Sequence, residues 1–308
     1  MKSDIAFIGL GNMGGFMAAN LVKAGYSVAG FDVMQEALEN ARANGITTFD
    51  SGALAVSRAQ VVITMLPSGK HLLDAYETLL PAAAPNTLFL DCSTVDVAHA
   101  RAARELATSA GHRGMDAPVS GGTIGAEAGT LTFMVGGENA DFTEIQPLLQ
   151  VMGSTVIHCG DSGAGQAAKI CNNMILGISM IAVSEAFVLG EKLGLSHQAL
   201  YDVASRSSGA CWALTTNCPV PGPVPTSPAN NDYRPGFMSA LMSKDLSLAL
   251  TAIEDTGVAA ELGPLAARIF RRFAEGSGAR SDFSAVIGEI RSRSTPASTA
   301  PAFDGVRL

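Results

Sequence analysis

The chain has 308 residues, 47% of them hydrophobic, a net charge of −8 and no basic run of five or more; this suits one large domain or two ordinary ones and argues against nucleic acid or an anionic membrane as partner. Five cysteines without a C-x-x-C argue against a disulfide framework or zinc ribbon and point to reduced thiols in the cytoplasm. Five scattered histidines, with no H-x-x-x-H or H-x-H, give no reason to expect a metal.

The opening "MKSDIAFIGLG" is too short and wrongly flanked for a signal peptide. It reads as a strand over 5–11 that ends in a glycine turn. Further strands are expected over 27–32, 61–67, 88–94 and 131–137. Alanine-rich helices fall between them, as at 14–25 and 97–111, with Gly25 and Gly111 where C-terminal caps belong. This alternation implies a parallel sheet covered by helices.

Strand signals stop near residue 162. The pattern from 163 to 206 is helical and apolar nearly all round, which suits the inside of a protein or a contact between subunits. Its most apolar part, 174–190, is interrupted by Ser179, Ser184 and Glu185 and reads as a buried helix, not a membrane span. The segment 217–236 is proline-rich and not a helix. Helices are expected over 238–256, 262–275 and near 281–291. The last residues are rich in proline, serine and alanine and read as a frayed tail. The expected domains are therefore 1–162 and 163–293, with a tail over 294–308.

Four motifs carry chemistry. The first is "IGLGNMGG", in which Gly9, Gly11 and Gly14 form G-x-G-x-x-G between a strand and a helix. That loop, with Leu10, Asn12 and Met13 between the glycines, offers backbone N–H groups to a pyrophosphate at the helix N-terminus. Asp32 ends the second strand. A carboxylate there accepts from ribose hydroxyls and repels a 2′-phosphate, so the cofactor reads as NAD. A turn-capping aspartate is the plain alternative.

The second motif is "DAPVSGG", where Ser120, Gly121 and Gly122 form either an anion-holding loop for a small carboxylate or an ordinary tight turn. The third is "GAGQAAKICNNM", which holds one of only six lysines in the chain. On a helix beginning near Gly165, Lys169 lies one turn from Asn172 and Asn173, with Gly165 and Gln166 on its other side. Its small, neutral neighbours let a ligand come close. In the fourth, "LMSKDLSLAL", Lys244 and Asp245 interrupt an apolar helix. They form either a structural ion pair or a reach toward a ligand.

Together and in this order, the motifs resemble the β-hydroxyacid dehydrogenase family over roughly residues 4–291. The matching stretches are "IGLGNMG", "DCSTVD", "DAPVSGGTIGAEAGTLTFMVGG", "GAGQAAKICNNM", "SSGACW" and "GFMSALMSKDL". The proline-rich insertion is similar to the branch acting on 3-hydroxyisobutyrate. Ala210 stands where an arginine is expected in the nearest relatives, which bears on substrate preference but not on the reaction.

The resemblance implies an N-terminal Rossmann domain, a long interdomain helix and an all-α C-terminal domain that makes a homodimer or homotetramer. It implies that Lys169 is catalytic with Asn173 beside it. Ser120, Gly121, Gly122 and Trp212 then face the substrate, and Leu66, Pro67, Thr94, Lys244 and Asp245 lie at the cofactor. The activity implied is NAD-dependent oxidation of 3-hydroxyisobutyrate, a small hydroxy-carboxylate, to methylmalonate semialdehyde in valine breakdown.

Alcohol oxidation needs a hydride acceptor, which NAD supplies, and a group for the hydroxyl proton. A free lysine, with a pKa of about 10.4, stays protonated at neutral pH and is a poor base for this work. Burial and a nearby cation lower that value, and a substrate carboxylate opposes the change. Two other readings compete. One is a reductase of tartronate semialdehyde or another short semialdehyde. The other is a non-catalytic nucleotide-binding module, against which Lys169 and Asn173 argue.

Overall fold

Apolar, β-rich runs bounded by glycine turns fold as strands, and the alanine-rich segments between them as helices. The computed structural model describes residues 4–294. It begins with β1 (Asp4–Ile8), α1 (Gly14–Lys23), β2 (Ser27–Phe31), α2 (Gln35–Ala43), β3 (Thr47–Thr48), α3 (Gly52–Val56) and β4 (Val61–Thr64). Then come α4 (Gly69–Leu79), β5 (Leu88–Asp91), α5 (Val97–Ser109), β6 (Arg113–Asp116) and β7 (Val119–Ser120). The sheet-forming half closes with α6 (Gly122–Ala128), β8 (Leu131–Gly136), α7 (Asn139–Met152) and β9 (Gly153–Gly160). The rest is helical: α8 (Ala164–Lys192), α9 (His197–Ala204), α10 (Trp212–Thr215), α11 (Ser239–Thr256), α12 (Leu262–Glu275) and α13 (Val286–Arg293). Of the tail expected over 294–308, residues 295–308 lie outside the described residues.

The sheet order is β3-β2-β1-β4-β5-β6-β8-β7, with β9 paired to β8. The strands from β3 to β6 are parallel, in the registers Ile8↔Phe31, Ile8↔Thr64, Thr64↔Asp91 and Asp91↔Asp116. Their carboxyl ends therefore lie along one edge. The order reverses between β1 and β4, and that crevice is where α/β sheets bind ligands.

The parallel sheet expected from the alternation is present from β3 to β6, while β8 runs antiparallel to both β6 and β7. Only residues 121–130 connect β7 to β8, and a right-handed parallel crossover needs a dozen or more. Helix α7 supplies such a crossover, and β9 runs parallel to β8.

The strands β4 and β5 are buried at every position, as expected of a sheet covered on both faces. Ile5, Phe7, Ile63 and Leu90 pack with Met17 and Leu21 of α1 and Ile145 and Leu149 of α7. Ala6, Ile8, Val62 and Phe89 pack on the opposite face with Leu72 and Tyr76 of α4 and Ala103 of α5. Gly25 and Gly111, at φ 85° and 81°, end α1 and α5 as expected. The N–H of each bonds back to the helix, to Val22 and Thr108, as does the N–H of the next residue, to Leu21 and Ala107.

The fold divides into two compact units inside α8. The first runs to Asn173 and takes in Ser247–Ala259; the second holds Met174–Leu246 and continues from Ala260. Helix α8 is long and apolar enough to cross a membrane by composition alone, and half of its most apolar window is buried. It is not buried all round, since Ile175 and Leu189 are exposed.

The proline-rich segment of the second unit is irregular, apart from a short 3₁₀ turn at Pro228–Asn231, yet it is ordered by its own bonds. The Ser227 hydroxyl donates to the Cys218 carbonyl at 2.6 Å, and the Tyr233 hydroxyl to that of Pro219 at 2.9 Å. Asp282, 1% exposed, ties this segment to the C-terminal helices. Its carboxylate accepts from Asn217 Nδ2, from the N–H groups of Gly236, Phe237 and Ser284, and from the Ser284 hydroxyl. Replacing Asp282 with alanine strands all these donors in a buried space. The substitution is expected to cost on the order of 3 kcal/mol or more, read as a lower urea midpoint of the purified chain.

Candidate active site

The loop after β1 is shaped by its glycines. A Cβ on Gly9 would lie 2.3 Å from the Met65 carbonyl oxygen, and one on Gly14 would lie 1.9 Å from the Gly9 carbonyl oxygen. These two positions let β1, β4 and α1 close together. A Cβ on Gly11 would meet no atom within 4 Å, so the open space at that exposed residue faces outward. Among the described residues no side chain caps the N-terminus of α1. Open space beside an uncapped helix end fits a pyrophosphate held by backbone N–H groups.

Asp32 follows β2 and is partly exposed. Its Oδ2 accepts from the N–H of Leu10 at 2.7 Å and its Oδ1 from that of Met34 at 2.8 Å. It therefore braces the glycine loop from the neighbouring strand. Each carboxylate oxygen keeps further acceptor capacity for a ribose hydroxyl.

A buried polar network underlies the next loops. Asp91, at the end of β5, is 2% exposed. Its Oδ1 accepts from the hydroxyls of Thr64 and Ser93, both at 2.6 Å. The Ser93 hydroxyl oxygen in turn accepts from the Leu66 N–H at 2.8 Å. One carboxylate thus orders the turn holding Leu66 and Pro67 and the turn holding Thr94. Its Oδ2 has no hydrogen-bond partner among the described residues. Burial pushes the Asp91 carboxyl up to about 6, against the hydrogen bonds from Ser93 and Thr64.

Asp116, at the end of β6, is also 2% exposed. Its two oxygens accept from the N–H groups of Gly163 at 2.6 Å and Gln166 at 2.9 Å, capping the start of α8. Burial raises its pKa and these backbone bonds oppose the rise. Gln166 is fully buried. Its Nε2 donates to the Ser93 carbonyl at 2.8 Å, and its Oε1 accepts from the Val95 N–H at 3.1 Å.

Lys169 lies one turn further along α8 and is 6% exposed; Asn173, a turn beyond, is 2% exposed. The two share a helix face with Gln166. Asn172 is exposed, and its Nδ2 donates to Asn173 Oδ1 at 3.0 Å. Ser120 ends β7, and Gly121 and Gly122 follow at φ 134° and 62°, a path that favours glycine. Within the first unit, the fold thus brings the glycine loop, Asp32, Leu66, Pro67 and Thr94 to the carboxyl ends of β1, β2, β4 and β5. Ser120, Gly121, Gly122, Lys169 and Asn173 belong to the same unit, and Trp212, Lys244 and Asp245 to the second. There Trp212 is half exposed at the start of α10, and α11 holds Lys244, half-buried, and Asp245, buried.

Residues 4–160 match the family described as the NAD binding domain of 6-phosphogluconate dehydrogenase. Residues 163–290 match the family described as NAD-binding of NADP-dependent 3-hydroxyisobutyrate dehydrogenase. A Mycobacterium tuberculosis protein named probable 3-hydroxyisobutyrate dehydrogenase is 55% identical over 291 residues, covering 94% of this chain and 99% of its own. The chain belongs to the 3-hydroxyisobutyrate dehydrogenase family.

As a member of that family it is an NAD-dependent oxidoreductase. The structure of the Mycobacterium tuberculosis 3-hydroxyisobutyrate dehydrogenase with L-serine matches it with a TM-score of 0.92, over 94% of this chain and 100% of that one. A Pseudomonas aeruginosa protein named NAD-dependent L-serine dehydrogenase is 45% identical over 286 residues, 92% of this chain and 96% of its own.

Sequence reasoning missed the roles of Asp91, Ser93 and Asp116 and noted Gln166 only as a neighbour. The available signal was polar residues inside apolar strands, "LFLDCS" and "RGMDAP". The Asp91 carboxyl keeps its proton in the folded chain at pH values where the unfolded chain has lost it. Stability from this group is therefore complete below the unfolded pKa of about 4 and is lost as pH rises through about 6. Asp116 acts in the same direction. Between about pH 5 and pH 7.5, the urea midpoint of the wild type is expected to fall by more than that of Asp91→Asn, whose side chain stays neutral. Equal falls would mean that Asp91 is already ionised across this range.

Proposed function

We propose that the chain oxidises 3-hydroxyisobutyrate to methylmalonate semialdehyde with NAD, a step of valine breakdown, and that Lys169 is its general acid–base group. One observation carries this reading: a lysine 6% exposed on the same face of α8 as Asn173, one turn beyond the end capped by Asp116. The 55% identity to the Mycobacterium tuberculosis relative supports the substrate. We assign residues 1–162 to NAD binding, and 163–293 to the substrate and to a homodimer or homotetramer. Exposed Ile175 and Leu189 on α8 support such a contact. Five free thiols suit a cytoplasmic protein.

NAD, when bound, supplies the hydride acceptor. The backbone from Gly9 through Leu10, Gly11, Asn12 and Met13 to Gly14 holds its pyrophosphate, and Asp32 holds the adenosine ribose. Leu66, Pro67, Thr94, Lys244 and Asp245 complete the cofactor contacts. Ser120, Gly121 and Gly122 hold the substrate carboxylate, with Trp212 beside the substrate. Lys169 takes the hydroxyl proton at Nζ and returns it in the reverse direction. Asn173 orients the reacting oxygen.

A second reading, L-serine as substrate, is favoured by the relative named for that activity. Serine shares the carboxylate and 3-hydroxyl of 3-hydroxyisobutyrate and carries an amino group in place of the methyl. We expect 3-hydroxyisobutyrate to give the higher kcat/KM with NAD, and tartronate semialdehyde with NADPH to be poor. A reversal toward serine would transfer the assignment.

Lys169→Ala is expected to lower turnover by roughly 10² or more while NAD affinity by calorimetry changes little. Lys169→Arg is expected to fail as well, since a guanidinium does not release its proton near neutral pH. A near-normal kcat in Lys169→Arg would turn Lys169 into a binding residue. Asn173→Ala is expected to cost less than either.

The carboxylate of Asp32 repels a 2′-phosphate, so the chain is expected to prefer NAD to NADP. Asp32→Ser combined with Val33→Arg is expected to move that preference toward NADP, measured as the ratio of kcat/KM for the two cofactors. Equal use of both by the wild type would overturn the charge argument.

A further inference from the structure

Gln166 has a role that neither the cofactor loop nor Lys169 accounts for. Its side chain is fully buried and meets the two ends of one short turn. Nε2 donates to the carbonyl of Ser93, and Oε1 accepts from the N–H of Val95. Between those two residues stands Thr94. The turn demands one acceptor and one donor, which a neutral amide supplies. A carboxylate lacks the donor, and an apolar side chain leaves both backbone groups unpaired in a buried place.

The Asp116 cap and the Gln166 clamp constrain α8 differently. Asp116 receives the N–H groups of the first turn and fixes where the helix begins. Gln166 reaches sideways and fixes the rotation of the helix about its own axis. Lys169 follows three residues later on the same face, so its direction is set by that rotation. The opposite side of the clamp is tied down as well. Ser93 is bonded to Asp91 and accepts from Leu66, so the turn is anchored to β5 and to the loop after β4.

We propose that Gln166 is a positioning residue for the reaction, holding the helix face of Lys169 in register with the Thr94 turn. The proposal rests on the reading of Lys169 as the acid–base group. Gln166 touches neither proton nor hydride. Its contribution lies in keeping the lysine within reach of the oxygen that reacts, where small displacements are costly to rate.

The decisive variant is Gln166→Glu, which preserves shape and alters only the donor. One oxygen still accepts from Val95. The other faces the Ser93 carbonyl oxygen, which it repels until it is protonated. The charged groups near this position are Asp116 on β6, Asp91 on β5 through Ser93, and Lys169 on the same helix. The two carboxylates oppose ionisation of a third.

With 3-hydroxyisobutyrate and NAD, kcat of Gln166→Glu is expected to be roughly tenfold or more below the wild type at pH near 8.5. That ratio should narrow as pH falls toward about 6, where protonation restores the donor. The Kd for NAD by calorimetry should stay within about threefold of the wild type. Gln166→Met, neutral throughout, should show the kcat deficit at every pH. A wild-type kcat, a deficit that does not change with pH in Gln166→Glu, or a loss confined to NAD affinity would each overturn the proposal.

If Gln166→Glu gives no cooperative melt, Gln166→Met decides by the split between kcat and Kd. If neither variant folds, Gln166 is a structural staple and the proposal falls. Lys169→Ala, assayed beside them, separates the two levels. Retained turnover there defeats the acid–base reading itself. Its loss together with normal Gln166 variants defeats only the positioning role.

Discussion

The carboxylate of Asp116, at the end of β6, receives the N–H groups of Gly163 and Gln166 where α8 starts, and much of the candidate site depends on this contact. A helix end carries unpaired N–H groups and partial positive charge. A buried carboxylate facing it gains charge-assisted hydrogen bonds, which are roughly twice as strong as neutral ones. Burial still pushes the Asp116 pKa upward, so desolvation and the cap oppose each other within one group. The cap links the sheet to the helix that carries Lys169 and Asn173. No local signal at residues 163–166 supplies that link, since the capping side chain comes from 47 residues earlier in the chain.

From that contact a short series of buried polar groups spreads along the carboxyl edge of the sheet. Gln166 joins α8 to the turn after β5, and Ser93 joins that turn to Asp91 and to the loop after β4. These bonds lie where water is excluded, so each missing partner carries a full desolvation penalty. The same edge holds the glycine loop and Asp32, which are ordered differently. There the chain packs closely through Gly9 and Gly14 and leaves open space at Gly11. One part of the edge is stiffened from beneath by polar bonds, and the other is kept bare for a ligand.

The helical unit uses a related device for a different purpose. Asp282 collects three backbone N–H groups and two side-chain donors. It orders a proline-rich segment that forms no ladder of its own. Proline removes donors from that stretch, so its shape comes from side-chain bonds and from apolar burial of Val220 and Cys218. Elsewhere in the helical unit Glu191 of α8 ties α9 and α13, accepting from Arg291 Nη2 at 2.5 Å and bonded to His197. Both Arg291 and His197 favour its charged form and hold the Glu191 carboxyl below its ordinary range.

Periodicity and glycine placement by themselves determined strands β1, β2, β4, β5 and β8 of the alternating half, the switch to helices near residue 162 and the cofactor loop. Those features arise from neighbours in sequence: a strand, a turn that needs glycine, a helix end. Helix capping at Gly25 and Gly111 was legible for the same reason. The spacing of Lys169 and Asn173 places both on one helix face without any tertiary contact. Tertiary structure alone decided the antiparallel course of β8, where a short link forbids a crossover. It also decided that Asp32 braces Leu10 and Met34, that Asp91 serves two loops, and that Gln166 faces Ser93 and Val95. These are contacts between residues 22 to 73 positions apart, apart from the short reach of Asp32 to Met34 and of Asp91 to Ser93. A buried polar residue in a sequence announces that it needs partners, but only the fold determines which groups come within 3 Å of it.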